Sequence, residues 1–201
     1  MILTLGDSFT YGDELTDRMR QAWPALLGVH LDQPVTNLGW PGTCNDSIVR
    51  KLLTHTSQHK CDLVVIGWTT PNRFEVWNDR ISGPDTVMPD SKLPWATDYY
   101  RYSYNTQYAW ERWINQVVLV QEYLISRKQP YLFIMVAGDL EYQEHSQHNT
   151  VCQLVRPDCF VGWPDTGMIE LTQGCPRGPC GHPLEQGHVK IADEIAKYIR
   201  N

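Results

Sequence analysis

A chain of 201 residues has the length of one domain with a single core, and its 42% hydrophobic and 20% charged residues are ordinary for a soluble globular protein. A net charge of −6 with no Lys/Arg cluster argues against a nucleic-acid partner and against anionic membranes. No apolar run approaches the ~20 residues needed to cross a bilayer, so no membrane partner is expected either.

The apolar opening, residues 1–5, is too short for a signal-peptide core and lacks a basic flank. A cytoplasmic location follows as the expectation, and with it free thiols for most of the six cysteines. Cys152, Cys159, Cys175 and Cys180 crowd toward His182. Their spacings match no standard zinc-ligand pair, and a Cys175–Cys180 disulfide would need an oxidant.

In chain order, residues 1–5 predict a short buried strand ending at Gly6. Residues 17–31 predict a helix, with Trp23, Leu26, Leu27 and His30 near one face and Pro24 an awkward member. A second strand is expected at 34–38. Asn45 or Asp46 then caps a helix carrying Ile48, Val49, Leu52 and Leu53, and 62–67 is a third strand. Regularity is lost from Trp68 to Thr106, where an aromatic-rich insertion around 76–106 holds Trp77, Trp95, Tyr99, Tyr100, Tyr102 and Tyr104. A loop of that length is more often functional than idle. Helical spacing returns from Trp110 to Ile125, a fourth strand follows at 131–137, and 138–183 reads as irregular with one short helix. Leu184, His188, Ile191, Ile195 and Ile199 mark a closing amphipathic helix. The alternation predicts a single-domain, three-layer α/β/α sandwich with a parallel sheet. In such folds ligands sit beyond the carboxyl ends of the strands, where Ser8, Gly42 and the segment after Trp68 would converge.

A serine hydroxyl needs a base to take its proton, a third group to orient that base, and fixed donors for the developing oxyanion. Gly6-Asp7-Ser8 after a strand suits such a serine, although Asp7 and Ser8 could equally cap a helix. His182 lies in a loop, where a base is easily aimed. His188 falls on the apolar face of the closing helix and reads as a packed histidine. Arg73 is either a clamp for a substrate carboxylate or sugar hydroxyl or one half of a loop-steadying pair with Glu75. The Trp/Tyr segment, with Trp95 and Tyr102 as its candidate contacts, either covers the cleft and stacks on sugar rings or packs as a secondary core.

Gly6-Asp7-Ser8-Phe9-Thr10-Tyr11-Gly12 resembles the first sequence block of the GDSL/SGNH hydrolases, and Asn37-Leu38-Gly39-Trp40-Pro41-Gly42-Thr43-Cys44-Asn45 resembles their second. Gly181-His182-Pro183, with Gly187-His188 and Ile191-Ala192 following, is similar to the last. The resemblance implies an SGNH, flavodoxin-like fold and an ester hydrolase working through an acyl-enzyme. Ser8 would be the nucleophile, His182 the base, and the amides of Ser8 and Gly42 oxyanion donors, with Asp7 beside the substrate. It implies no cofactor and no metal, and as substrates small-molecule or glycan esters, short-chain acyl or carbohydrate O-acetyl. Acyl transfer, or a non-catalytic binding module on the same scaffold, are the alternatives. Two departures stand out. Where the family carries Gly-x-Asn-Asp after the central strand, this chain has Gly67-Trp68-Thr69-Thr70-Pro71-Asn72-Arg73, so the side-chain oxyanion donor falls to Thr69 or Asn72. Where the family carries an Asp two or three residues before the histidine, this chain has Cys180 and Pro179. A Ser–His dyad is therefore expected, its imidazole oriented by a carbonyl or water, with Asp165, then Asp158, as the carboxylate candidates.

Overall fold

Five short strands, apolar in the main, line up in parallel: β1 (Ile2–Leu5), β2 (Val35–Asn37), β3 (Leu63–Trp68), β6 (Tyr131–Met135) and β7 (Phe160–Val161), in the spatial order β2-β1-β3-β6-β7. The computed structural model describes residues 1–79, 81–138 and 150–200. Ile2 pairs with Val35 on one side and Leu63 on the other, Val64 with Tyr131, and Phe133 with Phe160. Side chains alternate across a strand, so each strand feeds two cores. Leu3, Leu5, Val64, Ile66, Trp68, Phe133 and Met135 face one layer; Ile2, Val65, Leu132 and Ile134 face the other.

Helices cover both faces, as a parallel sheet with crossover connections requires. α4 (Asn45–Gln58) and α6 (Thr106–Ser126) pack Ile48, Leu52, Trp110, Trp113, Ile114 and Val117 onto the first face. α3 (Trp23–Leu31) and α8 (Glu185–Arg200) pack Trp23, Leu27, Ile191 and Ile195 onto the second. The remaining helices are short: α1 (Ser8–Tyr11), α2 (Arg18–Gln21), α5 (Pro94–Asp98) and α7 (Met168–Leu171). Among the described residues no helix is long and apolar enough to cross a membrane. The strand order reverses direction at β1, between its neighbours β2 and β3, and such a switch point opens a crevice at the carboxyl ends of the strands.

Several expectations need correcting. The helix read over 17–31 divides at Ala22, which is extended (φ −67°, ψ 144°). Pro24 has no N–H to donate to the carbonyl of residue 20, and it fits only in the first turn of a new helix. α4 is capped by Cys44, with no side-chain cap bond. Asn45 turns to Thr69 instead, and Asp46 accepts from Gln116 Nε2 at 2.6 Å and from the Glu75 amide at 3.3 Å. The segment after Trp68 is more regular than it reads: β4 (Phe74–Asn78) and β5 (Gly83–Val87) form an antiparallel hairpin, and α5 runs into a π-turn at Tyr99–Ser103. The irregular stretch after Gly138 holds turns at Thr150–Leu154 and Pro157–Cys159, the edge strand β7 and α7; residues 139–149 lie outside the described residues. All six cysteines are free thiols.

Candidate active site

β1 stops at a glycine that no other residue could replace. Gly6 has φ 157°, and a Cβ there would stand 2.1 Å from Thr10 Oγ1 and 2.9 Å from the Gly67 carbonyl. The chain turns into α1, with Asp7 as N-cap accepting from the Phe9 amide at 3.1 Å, and Ser8 is the first helical residue. The helix lasts one turn. Gly12, at φ 83°, ends it by donating to the Ser8 carbonyl at 3.0 Å, and the loop beyond carries Glu14 at φ 67°.

The other half of the site comes from the far end of the chain. The loop between α7 and α8 closes on itself: Leu184 N donates to Pro176 O (3.0 Å), Gly178 N to His182 O (2.9 Å) and Gly181 N to Gly178 O (2.9 Å). Arg177 braces it with 2.8 Å and 3.1 Å bonds to the Gly181 carbonyl and Thr172 Oγ1. Held this way, His182 places Nε2 2.9 Å from Ser8 Oγ and Nδ1 2.9 Å from Glu14 Oε2. Phe9 supports the imidazole edge-on, with ring centroids 5.6 Å apart. An ionised carboxylate only accepts hydrogen bonds. The proton therefore belongs on Nδ1, which leaves the Nε2 lone pair facing the Ser8 hydroxyl.

Beneath Ser8 lies a polar floor. Asp7 is 1% exposed; its Oδ2 accepts from Thr69 Oγ1 at 2.6 Å and faces Arg73 Nη1 at 3.5 Å. Arg73 Nη1 also donates to the Thr43 carbonyl at 3.3 Å. Burial pushes the Asp7 carboxyl above the usual carboxylate range, against the pull of Thr69, Arg73 and the Phe9 amide.

A comparison with solved structures places this architecture. A psychrotrophic esterase, EstA, from Pseudoalteromonas sp. is 14% identical over 99% of this chain and 96% of its own, with a TM-score of 0.60. An acetylxylan esterase from Geobacillus stearothermophilus, in a catalytic-mutant form, is 15% identical over 98% of this chain and 93% of its own, with a TM-score of 0.59. A member of the lipolytic protein G-D-S-L family from Veillonella parvula is 12% identical over 98% and 96%, with a TM-score of 0.53. The fold is that of the GDSL/SGNH hydrolases. No protein-family model matches the chain, and no curated protein matches it in sequence.

On this SGNH fold the expected site residues separate into two groups. Ser8 and His182 are brought together, and Gly42 lies in the neighbouring loop in the left-handed region, at φ 71°. That loop is tied to the serine loop: Trp40 N donates to Gly6 O at 3.1 Å, and Asn37 Nδ2 to Thr10 O at 2.8 Å. The others make contacts of their own. Thr69 has one hydroxyl proton and gives it to Asp7, so Thr69 does not serve as an oxyanion donor in this arrangement. Its backbone is locked by Asn45, which accepts from Thr69 N at 3.0 Å and donates to Thr69 O at 2.9 Å. Asn72 Oδ1 accepts from Thr70 Oγ1 at 2.8 Å, and the Asn72 carbonyl accepts from Tyr100 at 2.6 Å. Asp7, expected beside the substrate, is buried and occupied by Phe9, Thr69 and Arg73. Arg73 pairs with Asp7 and not with Glu75, which takes Arg50 at 2.7 Å.

The carboxylate that meets His182 falls in an unexpected place. Asp158 and Asp165 flank β7, at the sheet edge three strand positions from β1, and the Asp165 backbone packs against Gly138. The position at Nδ1, expected to hold a carbonyl, a water or Asp165, is filled by Glu14. A carboxylate six residues after Ser8, between Gly12 and the next helix, was the signal available in sequence. His188 is fully buried and accepts the Trp23 amide on Nδ1 at 3.1 Å. Trp95 (43% exposed) contacts Phe74, and Tyr102 (74% exposed) lies under Arg101. Tyr99, Tyr100 and Tyr104 pack with one another, and Phe74 joins Tyr99 and Tyr100. Among the described residues no three His, Cys, Asp or Glu side chains gather as a metal site.

Proposed function

We propose that the protein is a serine ester hydrolase acting through an acyl-enzyme on Ser8. The observation that carries this is the 2.9 Å approach of His182 Nε2 to Ser8 Oγ, within the reach general-base catalysis needs. Ser8 Oγ attacks the acyl carbonyl while His182 takes its proton. The tetrahedral oxyanion is held by the amides of Ser8, at the start of α1, and Gly42. Collapse expels the alcohol, which receives the proton from His182. Water then repeats the sequence on the acyl-enzyme and releases the acid. Short-chain acyl esters, including O-acetyl groups on carbohydrates, are the substrate class. The acetylxylan esterase on this fold and a two-domain esterase active on acetylated mannans, which covers 99% of this chain with 48% of its own length, support that choice.

A fluorophosphonate probe tests the reading directly. The protein should label at Ser8 and hydrolyse an activated acetyl ester. Ser8→Ala should lose labelling and about three or more orders of magnitude of turnover. Near-wild-type turnover in that variant removes Ser8 from the mechanism.

A further inference from the structure

We propose that Glu14 is the positioning carboxylate of a relocated catalytic triad, supplied by the loop after the nucleophile rather than by the loop that carries the histidine. The proposal rests on the ester-hydrolase reading above and names the group that orients its base.

Four features of Glu14 converge. Its Oε2 lies 2.9 Å from His182 Nδ1 and accepts the His182 backbone amide at 3.1 Å, so one oxygen fixes both the ring and its main chain. Its Oε1 accepts the Cys180 amide at 2.8 Å. The position two residues before the histidine thus contributes a donor toward an acid held elsewhere, instead of an acid of its own. Gly178 makes the space: a Cβ there would stand 2.5 Å from Glu14 Cδ and Oε1. The Glu14 backbone sits at φ 67°, a conformation that non-glycine residues adopt at a cost and keep where the surroundings demand it.

A role confined to stapling the loop would need only the two amides. The third bond, to Nδ1, does more. It selects the tautomer that leaves Nε2 free, and it sets a negative charge beside the imidazolium that forms as Ser8 attacks. The Cys180 amide, foremost, holds the Glu14 carboxyl below its ordinary range, so the charge is present when the base works. Asp7, the other acid beside Ser8, is occupied by Phe9, Thr69 and Arg73.

The test uses the full chain with Glu14→Gln and Glu14→Asp. With an activated ester, Glu14→Gln should lower kcat by about 10²- to 10⁴-fold, the range seen when a triad acid is neutralised, with KM within a few-fold. The acid limb of kcat/KM should move to lower pH, and Glu14→Asp, which keeps the charge, should recover part of kcat. A kcat for Glu14→Gln within about three-fold of wild type, or a loss with no movement of the acid limb, overturns the assignment. Wild-type protein gives a second readout that no folding defect can obscure. Its proton spectrum in the cold should hold a far-downfield imidazole resonance that disappears in His182→Ala, and its absence from the wild type also overturns the assignment. Failure of the hydrolase reading looks different: no fluorophosphonate labelling of wild type and no effect of Ser8→Ala, whatever the spectrum shows.

Discussion

Asp7 and Glu14 flank the same serine and meet opposite environments. Asp7 is enclosed, and burial outweighs the donors it collects, so its carboxyl is pushed up. Glu14 keeps 14% of its side chain exposed and gathers two main-chain amides, which draw its carboxyl down. The first holds Thr69 and Arg73, and the second faces His182. Sequence separates such roles poorly. The meeting of Ser8 and His182 was legible because each stands in a short contiguous motif. The contact of Glu14 with His182 was not, because the two lie 168 residues apart and Asp158 and Asp165 stand far nearer the histidine in sequence. The engagement of Thr69 was hidden for a related reason: the demand on its hydroxyl comes from Asp7, 62 residues earlier. Gly178 offers a residue-scale check that leaves Ser8, His182 and Glu14 in place. Gly178→Ala should drive a methyl into the Glu14 carboxylate and lower kcat by roughly 10-fold or more, about 1.4 kcal/mol in the barrier. Steady-state kinetics beside a melting curve measures it, and unchanged kcat in a folded variant would mean the carboxylate tolerates displacement.

At the level of elements, the short α1 matters more than its length implies. One turn between Gly6 and Gly12 presents Ser8 at its first position and returns the chain so that Glu14 comes back toward the histidine loop. The hairpin and the π-turn segment behave differently from the loop that sequence implied. Tyr100 donates to the Asn72 and Val87 carbonyls, at 2.6 Å and 3.2 Å, and so couples the hairpin to the strand-end loop. Tyr99, Tyr100, Tyr104 and Phe74 therefore belong to a small packed cluster, while Trp77, Trp95 and Tyr102 stay exposed. Period-2 and period-3.6 patterns do not reveal such a cluster, because its contacts join a ring at the start of β4 to rings of the π-turn and its end. If the segment selects the alcohol, Trp95→Ala and Tyr102→Ala should each raise KM for an acetylated oligosaccharide by about 5-fold, roughly 1 kcal/mol of lost stacking, while leaving a small chromogenic ester nearly unchanged. Parallel KM measurements decide it; equal effects on both substrates would assign these rings to packing.

For the whole molecule, the alternation of strands and helices was readable because each buried strand is a run of four to six mainly apolar residues, and the strand order then follows from crossover geometry. The break at Ala22 was harder to see, because its cause is shared between Pro24 and a histidine on another helix. That histidine, His188, joins α8 to α3 through the Trp23 amide and carries a pH dependence. Burial holds its folded pKa down at about 4, against 6.5 for the free side chain. It is neutral in both states above pH 6.5, where its stabilising contribution is complete. As pH falls from 6.5 through 4, the unfolded form takes up the proton first and the contribution is lost, on the order of 3 kcal/mol. His188→Leu should be less stable than wild type at pH 7, because the Trp23 amide loses its acceptor, yet should lose less further stability between pH 6.5 and 4. Urea titrations across that range measure both effects, and parallel pH curves for the two proteins would show that His188 does not govern the acid transition.

The contact between His182 and Glu14 joins positions 168 residues apart, and this has a consequence for assembly. On the proposed reading, the Ser8 hydroxyl has no partner to activate it until the loop that carries His182 has closed over Glu14. Reactivity then switches on as α8 docks beside α3, so covalent labelling of Ser8 during refolding would time the completion of the fold.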